Sequence, residues 1–98
     1  MFRHIVLFRW VDDMEPEIIE RITVGLRALA GTIEGMVSYH VGPDIGVRPD
    51  TAFDFGVCGA YESRDAWERY LSDDRHRALA DELILPNIVE RASVQFED

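Results

Sequence analysis

The chain opens on a strict alternation. In an extended segment Phe2, His4, Val6, Phe8 and Trp10 share one face, and Arg3, Ile5, Leu7 and Arg9 share the other, because successive side chains of a strand point to opposite sides. Both faces are apolar at their centre. That predicts a strand inside a sheet covered on both sides, and one layer of helices supplies only one of the two covers. Pro16, suited to a first helical turn, then precedes Ile18, Ile19, Ile22, Leu26 and Leu29 at three-to-four spacing, with Glu17, Glu20, Arg21 and Arg27 between them. This is an amphipathic helix ending near Gly31. Met36 to Val41 returns to extended character, and Gly42, Pro43, Asp44, Gly46, Pro49 and Asp50 mark a turn-rich connection.

From Phe53 to Tyr61 the alternation is bulky against small, with Phe53, Phe55, Val57 and Tyr61 on one side and Asp54, Gly56, Cys58 and Ala60 on the other. Ser63 is a good N-cap for a helix carrying Trp67, Tyr70 and Leu71. The Ser72-Asp73-Asp74 cluster breaks that helix, and a second helical stretch runs from Arg75 to about Leu85, where Pro86 ends it. Val89 to Phe96 reads as a closing strand, with Ala92, Val94 and Phe96 in alternation. The order strand, helix, strand, strand, helix, strand is the split unit of an α+β, ferredoxin-like βαββαβ fold with an antiparallel sheet. Its helices cover one sheet face. The doubly apolar first strand therefore predicts that the other face meets a second sheet, most simply that of an identical chain, forming a dimeric α/β barrel. Small residues at Gly56, Cys58 and Ala60 suit a close approach of two sheets.

Composition narrows the functional classes. With 98 residues and no linker or repeat, residues 1–98 are expected to form one domain. A chain this small leaves much surface unburied, which favours self-association. The net charge of -9 opposes binding to nucleic acid. The longest apolar run, Ile5 to Phe8, is too short for a membrane span, and no signal-peptide core is visible, so a cytoplasmic location is expected. The single Cys58 has no internal disulfide partner and is expected to be a packed, unreactive thiol. His4, His40 and His76 are too scattered to promise a metal site. No glycine-rich phosphate loop or dinucleotide fingerprint is present, so no cofactor is expected.

His4-Ile5-Val6-Leu7-Phe8, Gly42-Pro43-Asp44, the bulky third strand leading into Tyr61-Glu62-Ser63, and the stretch from Tyr70 to His76 together resemble the stress-responsive dimeric A/B barrel family. The resemblance spans nearly the whole chain and implies two four-stranded sheets closing face to face. It also implies a site. One plant member, olivetolic acid cyclase, closes a linear polyketide by an aldol reaction using a tyrosine and a histidine, and Tyr70 and His76 are similar to that pair in spacing. The same resemblance places His4 at the mouth of a pocket walled by Val6, Phe8, Ile22, Leu26 and Val57. The His-Pro-x-His sequence frequent in the family appears here as Asp73-Asp74-Arg75-His76.

Carbanion chemistry of that kind needs a base near neutral pKa beside the substrate carbonyl and a donor to its developing oxyanion. His76 and Tyr70 suit the two roles. The competing reading makes His76 a hydrogen bonder at a helix end and Tyr70 an ordinary core residue, with Trp10 and Trp67 as packing. Three functions follow as expectations. The protein binds a small apolar or aromatic molecule between sheet and helices, or it is a cofactor-independent cyclase or isomerase, or its pocket is filled by its own side chains.

Overall fold

The computed structural model describes residues 1–98. Its elements are β1 (Phe2–Trp10), α1 (Pro16–Arg27), β2 (Met36–Pro43), β3 (Phe55–Tyr61), α2 (Arg64–Ser72), α3 (Asp74–Leu79) and β4 (Ile88–Glu97). A π-helical turn, Ala80–Ile84, and a 3₁₀ turn, Leu85–Asn87, link α3 to β4. The strands form one antiparallel sheet in the order β2-β3-β1-β4. This is the expected ferredoxin-like α+β arrangement.

Register explains the two-sided pattern of β1. Phe2, Val6, Phe8 and Trp10 point toward the helices and are buried, as are Phe55, Val57 and Tyr61 of β3 and Tyr39 and Val41 of β2. Against them α1 buries Ile22, Thr23 and Leu26. Each fully buried aliphatic side chain contributes about 1.5–3 kcal/mol relative to exposure. Gly25 lets α1 meet α3, since a Cβ there would lie 2.7 Å from Cδ2 of Leu79. The Arg27 guanidinium donates to the carbonyl of Val41 at 3.0 and 3.1 Å, satisfying an acceptor near the β2 edge.

The opposite sheet face has no helix on it. Ile5 pairs with Cys58 and Val94, and Leu7 with Gly56 and Ala92. Val94 and Phe96 are 51% and 42% exposed, so β4 turns its apolar side outward and its polar residues Arg91, Ser93 and Gln95 toward the helices. That polarity is inverted for a sheet whose outer face meets water. The ion pairs Arg3–Asp98 and Arg9–Glu90 flank the apolar area at 3.0 and 2.8 Å.

Several sequence expectations change. β3 begins at Phe55 rather than Phe53. Asp54 instead closes the strand end, its amide donating to the Phe8 carbonyl and its carboxylate accepting from the Trp10 amide at 2.8 Å. The helical path continues through Pro86 to Asn87 because the proline sits in the first turn of a new 3₁₀ segment, where it needs no amide hydrogen. Within the single chain Cys58 is exposed on the open sheet face, whereas Ala60, opposite Arg3 and Ser38, is buried.

Candidate functional site

A cavity of about 200 Å³ lies between the sheet and the α2–α3 layer. Its floor is His4, Val6 and Phe8 of β1 with Val57 of β3, and Leu26 of α1 closes one side. Tyr70, Leu71, His76 and Ala80 form the roof, and Ile84, Leu85 and Arg91 complete the lining. Leu85 is 55% exposed and Arg91 is exposed, so the cavity opens along β4.

The break between α2 and α3 shapes the roof. Ser63 caps α2, accepting from the Ala66 amide at 3.2 Å. Asp73 has extended backbone (φ -63°, ψ 131°), which ends α2, and its carboxylate then accepts from the Arg75 amide at 2.9 Å to start α3. The His76 amide makes a longer contact to the same oxygen, 3.4 Å. The Arg75 side chain clamps the turn, donating to Asp73 and to the Thr32 hydroxyl. These bonds hold the Asp73 carboxyl below the ordinary carboxylate range, led by the Arg75 side-chain bond. An aspartate cap thus makes the turn that leads into His76.

The turn sets the His76 ring on Tyr70, with centroids 4.3 Å apart. Burial lowers the His76 pKa. The Leu71 carbonyl opposes part of that shift but falls short of a hydrogen bond, and Nδ1 is buried without a partner. Nε2 has no protein partner either and is not sealed from the cavity. A largely neutral imidazole with an open nitrogen can accept a proton, as a general base must. The Tyr70 hydroxyl lies 2.7 Å from that of Tyr39. Burial drives both phenols well above the ordinary tyrosine range, so both stay protonated.

His4 is 3% exposed and sits on the floor rather than at the mouth, its ring 5.5 Å from Trp67 and 6.3 Å from Tyr70. Burial first, then the charge of Arg91, lowers its pKa to about 4. The Gln95 amide nitrogen lies 2.9 Å from Nδ1. With the amide so oriented Nδ1 accepts, which leaves the proton on Nε2 as a neutral donor on a ring that lines the cavity.

Of the residues singled out in the sequence, Tyr70, His76, His4, Val6, Phe8, Leu26 and Val57 all line this cavity. Ile22 does not. It is 0% exposed and packs into the core, since helical spacing marks the inward face of α1 without separating core from cavity. Leu71, Ala80, Ile84, Leu85 and Arg91 escaped the sequence reading. The alternation of Arg91, Ser93 and Gln95 with Ala92, Val94 and Phe96 was the available signal, and it leaves open which set faces the helices. No group of three His, Cys, Asp or Glu side chains is placed to hold a metal ion, and no helix is long and apolar enough to cross a membrane.

An uncharacterised protein of Streptomyces coelicolor is 36% identical over 81 residues, covering 80% of this chain and 81% of that one. A dimeric ferredoxin-like protein of unknown function from Thermobifida fusca superposes with a TM-score of 0.89 at 32% identity, over 99% of this chain and 90% of that one. The hydroxynitrile lyase of Passiflora edulis shares the fold, with a TM-score of 0.78 at 19% identity over 97% of this chain and 90% of its own. The family model described as Stress responsive A/B Barrel Domain matches residues 2–98, and the chain belongs to that family.

Proposed function

We propose that the protein is a homodimer, closed through the open sheet face, that binds a small, mainly apolar or aromatic molecule in the cavity beneath Tyr70 and His76. The observation that carries the reading is the composition of the cavity lining, with nine of its twelve residues hydrophobic and a few polar groups converging on them. Apolar walls with sparse, directed polar groups are the usual form of a small-molecule site. A cavity of roughly 150 Å³ admits a benzene ring, so the space here suits one ring or a short branched chain. The dimer is supported by the outward apolar side of β4 and by the dimeric Thermobifida fusca relative.

A second reading has its own observation, the open nitrogen of His76 against Tyr70. In it the protein is a cofactor-independent cyclase or isomerase. His76 removes a proton beside a carbonyl, and Tyr70, its own hydrogen freed when Tyr39 donates to it, stabilises the enolate oxygen. A protein of the same fold, from Passiflora edulis, is named a hydroxynitrile lyase.

The test of binding is a cavity-filling variant. Ala80 is half-buried in the roof, so Ala80→Phe should occupy the space with the fold retained. Thermal-shift and NMR titration with small aromatic and branched aliphatic compounds should show wild-type binding that the variant loses. Equal binding by both proteins would remove the cavity as the site.

A further inference from the structure

The geometry points to a ligand that carries a carboxylate, held by Arg91 at the cavity mouth while its apolar body lies over Val6, Phe8 and Val57. The inference deepens the proposed binding function and rests on the cavity being a ligand site.

Arg91 faces inward because it stands opposite Phe8 in the β1–β4 register, and it lines the cavity. In a chain with 19 carboxylates against 10 cationic side chains, it takes part in none of the ion pairs and none of the side-chain hydrogen bonds. Its strand neighbour Glu90 points to the other face, where it is bound to Arg9 at 2.8 Å. No Asp or Glu lines the cavity. The one charged side chain in the lining is therefore cationic, with Asp73 and Asp81 acting on His76 from outside it.

Of the other polar groups in the lining, His4 agrees in sign. His4 offers Nε2–H as a neutral donor when Gln95 donates to Nδ1. Groups that donate hydrogen bonds around a guanidinium fork match a planar carboxylate, which accepts two parallel bonds from arginine. A cationic ligand would meet Arg91 without a counter-charge, and a neutral one would leave its charge unused.

The experiment compares matched ligand pairs: small aromatic and branched aliphatic monocarboxylates, each with its primary amide. Binding is titrated on the wild type, Arg91→Gln, Arg91→Lys and Ala80→Phe. The acid should bind about 10- to 100-fold more tightly than its amide, the range expected of a charge-assisted bond. Arg91→Gln should erase the difference, Arg91→Lys should keep part of it, and added salt should shrink it in the wild type. Because Arg91 is exposed on an edge strand, its replacement should leave the fold intact. The wild-type salt series reads the same charge without any substitution. Acid and amide binding equally, with both lost in Ala80→Phe, would overturn the carboxylate inference and leave the cavity reading standing. Acid preference unchanged in Arg91→Gln would also overturn it. Binding by neither ligand class would overturn both.

Discussion

The rings of Tyr70 and His76 meet at 4.3 Å although six residues separate them in sequence. On an uninterrupted helix that separation is a rotation of about 600°, which leaves the two side chains on different faces. The contact exists because Asp73 interrupts the helix and caps the next one.

Asp73→Ala should therefore act on the site as well as on stability. Loss of an aspartate N-cap costs about 1 kcal/mol, read as a lower thermal midpoint. The His76 ring resonances should also move, reporting that the imidazole has left Tyr70. Since the folded Asp73 pKa is depressed, its contribution is present above the ordinary carboxylate range and is lost as pH falls through the folded value. The stability difference between wild type and variant should narrow in acid. A variant with unchanged stability and unchanged His76 resonances would show that Arg75 and Thr32 hold the turn alone.

His4 makes stability depend on pH in a different window. The unfolded chain takes up a proton as pH falls through 6.5, while the folded chain resists until about 4. Across that interval the unfolded state binds more protons, so acidification destabilises the fold, by at most about 1.4 kcal/mol per pH unit for one fully shifted histidine. His76 shifts in the same direction and adds to the slope. Urea midpoints measured across the interval should fall more steeply for the wild type than for His4→Gln. Parallel slopes would mean that His4 titrates normally in the folded protein.

Much of this architecture was legible in the residues, and the exceptions have physical causes. The two-sided apolar pattern of β1 forecast a sheet with helices on one face and apolar side chains on the other, because a strand's parity assigns every side chain to a face. The Ser72-Asp73-Asp74 cluster forecast a helix break. Neither pattern could forecast that the break would bring Tyr70 onto His76, since that depends on the backbone angles of Asp73. Arg91 was hidden for another reason. Alternation in β4 separates Ala92, Val94 and Phe96 from Arg91, Ser93 and Gln95, but only pairing with β1 decides which set faces the helices. Ala80, Ile84 and Leu85 fall in or beside the π-helical turn. Its i to i+5 bonding displaces the period that a helical pattern assumes.

The open sheet face links oligomeric state to thiol chemistry. A Cβ at Gly56 would lie 3.6 Å from Leu7, an ordinary contact. Gly56→Glu is thus tolerated within one chain but places a charge where the partner sheet would pack. Sedimentation should show a wild-type dimer and a monomeric or aggregated variant. Cys58 shares this face and is exposed in the single chain, so it should react slowly with a thiol reagent in the dimer and rapidly once the dimer is broken. A stable wild-type monomer at micromolar concentration would refute the interface, and fast labelling of an intact dimer would place Cys58 outside it.

Whether the cavity carries out chemistry turns on what His76 and Tyr70 do beyond packing. As a general base, His76 should contribute about 10² to 10⁴ in rate, lost in His76→Ala with the fold intact. As a helix-end residue, it should cost only about 1 kcal/mol of stability when removed and change no turnover. Tyr70 needs a control for its partner, because Tyr70→Phe leaves the Tyr39 hydroxyl without its 2.7 Å bond. An abandoned buried hydroxyl costs about 1–3 kcal/mol, and Tyr39→Phe should incur a similar penalty from the other side. The double variant Tyr39→Phe/Tyr70→Phe should recover part of that loss. Linear polyketide thioesters and small lactones are the substrates to screen, with all four variants assayed beside the wild type. Turnover lost in Tyr70→Phe but kept in Tyr39→Phe, at matched stability, would mark the Tyr70 hydroxyl as an oxyanion donor. Turnover that survives both His76→Ala and Tyr70→Phe would exclude the pair from the mechanism. Ligand binding without turnover in the wild type would favour the binding protein over the cyclase.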